Sequence, residues 1–526
     1  MIKEELKKRA FEECCNENTT VRYGILNERP FWNSESEQFM YVPAFHFPEI
    51  RGIKKYRYDA VDEKGIKHTF IEDNPNALLT PIWAQLPEGV VTLTVTALNE
   101  DDSDGYLVGA RTFFRLAPFD GDYAPAVRSY KECALKAYEF ALKQDFVQYW
   151  LKYGTPDPHY DLNVYPSKMI SALIEAMLSL SRLCPEKKEE ALKIAVNAAD
   201  FLISITPHDD VPLKNLPPTY NLEFCPDPDE YGIHTANWDN AVWRSGCMMM
   251  IYPPAVGSAY IKLYKATGDK KYFNEAINIG NYFLDTVENN GSWYLMRSLE
   301  DGKPIGENYI APIEVVVPFL MALYECTGED KWKRLADGAV NYVFKTQLSS
   351  YNWEGQFEDS LISVSYSNLS HYPAGSLLRY IAHYRADEPE MLDIAKELMR
   401  FVEDQFVIWK RPYPWKHRTP LGIGGYDSSL WHTPAALEQR FWYVPIDAST
   451  ASVVNDFNAM YKATGDELYL AKAKALADQL TVMQEESGRI PTHWMNTDEA
   501  RGNFWFNCLF YSCRTLENMS EYDQNV

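Results

Sequence analysis

Apolar residues recur at i, i+3, i+4 and i+7 through three segments that resemble one another: YIKLYKATGDKKYFNEAINIGNYFLDT (260–286), FLMALYECTGEDKWKRLADGAVNYVFKTQ (319–347) and DFNAMYKATGDELYLAKAKALADQLTVMQ (456–484). That spacing predicts amphipathic helices. Each segment breaks at Y-x-x-T-G-[DE], where glycine ends one helix in a left-handed cap and the acid opens the next. Further copies stand at 376–406, with ADEP at the turn, and at 177–204, with Cys184-Pro185 there. Adding a long helix near 125–152 and a last one near 502–516 gives about twelve helices in six hairpins. One amphipathic hairpin cannot bury its own apolar face, so neighbours must stack. The expected fold is mainly α, an (α/α)6 toroid over 119–526, with an open α-solenoid as the alternative.

Turns within the hairpins are short, whereas the links between them are long: 153–166, 207–245, 289–310, 349–370, 406–446 and 485–501. In a ring the two kinds of connection lie at opposite ends, so the long links share one face. They carry YGIHTANWDNAVWRSG, YNWEGQFED, WYVPIDAST and SGRIPTHWMN, rich in aromatic, acidic and histidine side chains. Long loops on a rigid scaffold are where binding and catalysis concentrate.

Residues 18–118 alternate with period two instead. GVVTLTVTALN and YLVGARTFFRL flank an acidic turn, and KYRYDAVDE and KHTFIED form a second strand pair. This predicts a small N-terminal β-sandwich, preceded by a segment over 1–17. The turn NEDDSDGYL is no calcium loop, because Arg111 stands where that spacing needs glutamate.

Composition narrows the function. Hydrophobic residues at 46% and charged residues at 24% are those of an ordinary globular chain, while aromatics reach 14%. A formal charge of −23 argues against nucleic acid or an anionic membrane as partner. The charged first residues and the lack of a long apolar run point to an unsecreted, cytoplasmic protein. Nine cysteines without a C-x-x-C read as reduced thiols. No P-loop, H-E-x-x-H or G-x-S-x-G occurs, and neither a metal nor another cofactor is expected.

Carboxylates, histidines and aromatics remain. A glycosidic bond is broken by two carboxyl groups, one protonated to assist the leaving oxygen and one ionised to activate water or attack the sugar. The catalytic candidates are Asp239 between Trp238 and Asn240, Glu354 beside Trp353, Glu358 beside Phe357, and Asp447 after WYVPI. Asp239 and Asp447 also stand where a helix cap would. For substrate binding, Trp238, Trp353, Trp431, Trp442 and Tyr443 offer rings to sugar faces, and His234, Arg244, His371, Arg440 and His493 offer cations to an anion such as a uronate carboxylate.

The T-G-D hairpins, the aromatic links, WEGQFED and WYVPIDAST together resemble the six-hairpin glycosidase superfamily, nearest to bacterial exo-acting β-glucuronidases and unsaturated glucuronyl hydrolases. The resemblance implies a hydrolase using loop Asp or Glu without a metal on uronic-acid-containing oligosaccharides, with Asp239 as the counterpart of a catalytic acid. A polysaccharide lyase, a sugar epimerase or a carbohydrate-binding protein are the alternatives, and a homo-oligomer is left open.

Overall fold

The computed structural model describes residues 4–16, 36–223, 236–306, 309–310, 312–351, 353, 369–414, 428–439, 443–502 and 504–523. A first helix, α1, runs Glu4–Cys15, and among the described residues twelve of at least its length follow: α2 Tyr130–Leu142, α3 Pro166–Leu183, α4 Lys188–Ser204, α5 Pro253–Thr267, α6 Lys270–Asp285, α7 Val316–Thr327, α8 Asp330–Val343, α9 Tyr372–Tyr384, α10 Pro389–Phe406, α11 Asp447–Thr464, α12 Glu467–Met483 and α13 Phe506–Met519. The odd-numbered helices from α3 to α13 form an inner layer, and each packs on one even-numbered outer helix; α13 packs on α2, so the chain's last long helix closes on its first. The inner helices pack in the order α5, α3, α13, α11, α9, and α7 packs on α5. The seam between α7 and α9 is looser, bridged where Tyr384 donates to Glu325 at 3.3 Å and otherwise holding a cleft. The hairpins thus form a ring.

The T-G-D turn has a local cause. In α5, α7 and α11 the last residue is threonine, whose hydroxyl donates to the carbonyl four residues back (Leu263, Leu323, Met460) at 2.6–2.8 Å. The same hydroxyl accepts the N–H of Asp269, Glu329 or Asp466 two residues on, at 3.1–3.2 Å. Between them Gly268, Gly328 and Gly465 take φ of 74°, 69° and 70°. An added Cβ at Gly328 would meet nothing within 4 Å, so Gly328→Ala tests the backbone alone. It should lower stability by about 1–2 kcal/mol, read as a lower urea midpoint. The long helix expected near 125–152 is two pieces, α2 and Asp145–Tyr153, because Gln144 is extended and lets the second piece turn onto α4.

The β-sandwich expected over 18–118 is corrected: the described residues form one five-stranded sheet, β1 Gln38–Phe39, β2 Tyr56–Val61, β3 Lys67–Glu72, β4 Gly89–Leu98 and β5 Asp104–Arg115, ordered β1-β5-β4-β2-β3. Both predicted hairpins are present, and β1 joins β5 in parallel. The buried face is covered by residues 39–47 and by Trp83, with Phe39, Phe45 and Phe113 in mutual edge and tilted contact at 5.4–5.9 Å; it needs no second sheet. The sheet docks on the outer helices through buried polar groups. Met40 and Tyr41 donate backbone N–H to Asp404 Oδ1 at 2.6 and 2.8 Å, and beside them Glu403 accepts from Lys472, Tyr41 and Trp409 at 2.7–3.0 Å. Eight described cysteines are free thiols, and among the described residues no helix is long and apolar enough to cross a membrane.

Candidate functional site

Short turns run from inner to outer helices and long links run back, so the N-terminal ends of all inner helices lie on the long-link face. Each inner helix buries its sides against its neighbours but keeps a partly exposed stripe, such as Lys168, Ala172 and Glu175 on α3 and Ser258 and Lys262 on α5. In a ring such stripes turn toward the axis and line a channel.

Near the long-link end, Glu314 stands just ahead of α7 in a cleft of about 310 Å³ between α7 and α9. That volume is at the lower end for small-ligand sites. Burial strips water from the Glu314 carboxylate and raises its pKa to about 8, although the Arg379 charge across the cleft opposes the rise. Arg379 on α9 pairs with Asp456 on α11 and donates to Ser376 Oγ at 3.0 Å and Ser452 Oγ at 3.3 Å. Asp456 is buried and pushed up to about 6 by that burial, with Arg379 again opposing. A Cβ on Gly375 would lie 2.5 Å from the Asp456 carboxylate, so glycine is what lets α11 bring this acid against α9. Tyr372, at the head of α9, meets Ser449 of α11 at 3.2 Å; burial and the charge of Glu438 hold its hydroxyl protonated.

Two links knit together beside this cleft. Trp431 bridges Met495, Ile446 bridges His493, and Asp447 donates its N–H to the Thr492 carbonyl at 2.9 Å. The third link joins them where Ser370 bridges Gln439 and donates to the Trp353 carbonyl at 3.1 Å. These bridges bring Trp353, His371, Trp431, Tyr443, Asp447 and His493 together as a packed layer. Trp353 is 0% exposed and edge-on to Tyr351, which leaves no face for a sugar. Trp431 and Tyr443 are buried against each other at 5.4 Å, and the Tyr443 hydroxyl donates to Gln38. His371 is wholly buried beside the Tyr372 and Phe406 rings; neither ring nitrogen meets a partner among the described residues, and burial lowers its pKa to about 3. Enclosed and neutral, the ring is not the cation that was expected to meet an anion. His493 is buried as well.

Asp447 is the first residue of α11 and fully buried. Ser512 donates to its Oδ2 at 2.9 Å, the first N–H groups of the helix support it, and burial holds the carboxyl well above the usual range. It stands one residue past the N-cap position, which Ile446 holds, so the cap expected of it is not formed and it remains a candidate carboxyl. Asp239 lies exposed on the short helix Ala236–Arg244, which packs by the turn Asp161–Val164 leading into α3. On the same helix Arg244 is buried with its guanidinium 4.4 Å from the Trp243 ring. The Trp238 side chain, His234, Glu354, Glu358, Arg440 and Trp442 lie outside the described residues. Sequence reasoning passed over Glu314 and Arg379. The available signal was one acid in the otherwise apolar run IAPIEVVVPFL, which reads as a core helix.

No protein-family model matches the sequence, and no curated protein matches it. Among solved structures, the chain is similar to a family 76 glycoside hydrolase from a bovine Bacteroides thetaiotaomicron strain, at 12% identity over 89% of this chain and 93% of that one, with a TM-score of 0.47. A sugar epimerase from a ruminal bacterium matches at 12% identity over 74% of this chain and 100% of its own, with a TM-score of 0.49. A polysaccharide lyase matches at 13% over 84% and 58%, with a TM-score of 0.42. These are a hydrolase, an epimerase and a lyase, so the likeness selects none of those chemistries for this chain.

Proposed function

We propose that this chain is a carbohydrate-active enzyme, a glycoside hydrolase that cleaves uronic-acid-containing oligosaccharides by carboxyl general acid catalysis. What supports this reading is Glu314, a half-buried carboxyl group on the wall of the cleft between α7 and α9, which loss of water raises to about 8. Such a group donates a proton to a departing glycosidic oxygen at neutral pH, the role a raised carboxyl fills in this chemistry. Asp239, Glu354 and Glu358 are proposed for the ionised partner that activates water or attacks the sugar. Of Asp239→Asn, Glu354→Gln and Glu358→Gln, the one at the partner should lower kcat by about 100-fold or more, measured with reducing-end release. Base-initiated lyase or epimerase chemistry is less well served among the described residues, since His371 is enclosed and its burial makes it a weak base, and the Tyr372 hydroxyl titrates well above its ordinary range.

Incubation with neutral and uronate oligosaccharides separates the classes. New reducing ends without a change in the ultraviolet absorbance of unsaturated uronates support the hydrolase. A rise in that absorbance, or conversion to an isomeric sugar without cleavage, overturns it.

A further inference from the structure

Away from the seam between α7 and α9, the stripes of α3, α5 and α13 meet in the second half of each helix, toward the short-turn end of the channel. There Glu175 of α3 pairs with Lys262 of α5 at 2.8 Å and with Arg514 of α13. One or two turns further along, Arg182 pairs with Glu517 and reaches Ser179 Oγ at 3.2 Å. The depths of the charges differ. The side chains of Lys262, Arg514 and Arg182 are 52%, 35% and 61% exposed, whereas Glu175 and Glu517 are 11% and 18% exposed. The carboxylates are recessed and the cations stand in front of them. Cations also outnumber acids here, and Lys265, one turn beyond Lys262, adds another.

We propose that this end of the channel is an oxyanion-binding site, in which Lys262 and Arg514, backed by Arg182, take the carboxylate or phosphate group of a small solute. A guanidinium carries five N–H donors and an ammonium three, so sharing Glu175 leaves donors on both for a second acceptor. Charge-assisted bonds of this kind are the stronger ones, and arginine suits the two oxygens of a carboxylate or phosphate. In a chain of net charge −23, a patch with cations in front is where an anion meets attraction. Although half of the Lys262 side chain still meets solvent, the protein crowded around it and the charges of Arg182 and Lys265 lower it to about 8, the direction expected where positive charge is in excess. A bound anion favours the ammonium form, so affinity is full below that value and falls as pH rises through it. None of these residues lines the Glu314 cleft, and the proposal stands whether or not the hydrolase reading holds.

The test is calorimetric titration of the full chain at low ionic strength with two probes, inorganic phosphate and glucuronate. Saturable binding at pH 7 that weakens several-fold or more by pH 9 is expected for at least one probe. Lys262→Met should weaken it about tenfold or more. Lys262→Arg should keep the affinity and lose the pH dependence, which separates binding from any folding defect of the methionine variant. Binding of both probes assigns the site to carboxylates and phosphates alike, and binding of phosphate alone assigns it to phosphate groups. No saturable binding of either probe, or binding that Lys262→Met leaves unchanged, overturns the proposal.

Discussion

Glu314→Gln should lower kcat on the cleaved oligosaccharide by about 100-fold or more while leaving the melting temperature near that of the parent. The choice of glutamine follows from the protonation state. With a pKa near 8, Glu314 is mostly neutral at pH 7, so a neutral side chain of the same shape replaces it with little change in packing and removes the transferable proton. The pH dependence provides a second readout. The folded value lies above that of an unfolded glutamate, so the proton is present in the acid range and is lost as pH rises through about 8. The parent kcat should therefore fall on the alkaline side near pH 8, and the residual activity of the variant should lack that limb. Arg379 opposes the rise, so Arg379→Met should shift the limb to higher pH, provided Asp456 remains in place. Near-parental kcat in Glu314→Gln would remove this residue from the chemistry and leave the acid role to the long links.

What was legible in the sequence was local. The Thr-Gly-Asp turn is decided within six residues by a hydroxyl, a left-handed glycine and a capping acid, so its recurrence marks the hairpins and, through connection length, the face that carries the long links. The two β-hairpins were legible for the same reason. The parallel pairing of β1 with β5 was not, because it joins residues more than seventy positions apart and no turn chemistry announces it. The aromatic links misled in an instructive way. Trp353, Trp431 and Tyr443 look like sugar platforms when read along the chain, but backbone bridges between different links fold those rings inward as the packed floor of the face. Whether a loop tryptophan is wall or floor is settled by its partners across the molecule. Glu314 is the converse: its setting in an apolar run hid it, and that same setting is what raises its pKa.

The polar joint between sheet and ring carries the largest stability effect. Glu403 of α10 and Lys472 of α12 are each 2% exposed by side chain and 2.7 Å apart, and Glu403 also accepts from the Tyr41 hydroxyl and Trp409 Nε1. Tyr41 belongs to the segment that follows β1 onto the ring, so this carboxylate ties the two outer helices to the sheet. Removing one member of such a pair leaves a charge in an interior with no counter-ion, which costs about 3–5 kcal/mol. Lys472→Met and Glu403→Leu should each lower stability by about that amount in urea unfolding, and the Leu–Met double variant should lose much less than the two single losses combined, because its charges leave together. Glu403→Leu also strips the Tyr41 hydroxyl and Trp409 of their acceptor, so it should be the more damaging single change and should hasten proteolysis around residues 36–47. Single variants as stable as the parent, or a double variant that loses the full combined amount, would show that the pair is solvated and that the sheet is held to the ring chiefly by its apolar contacts and by Asp404.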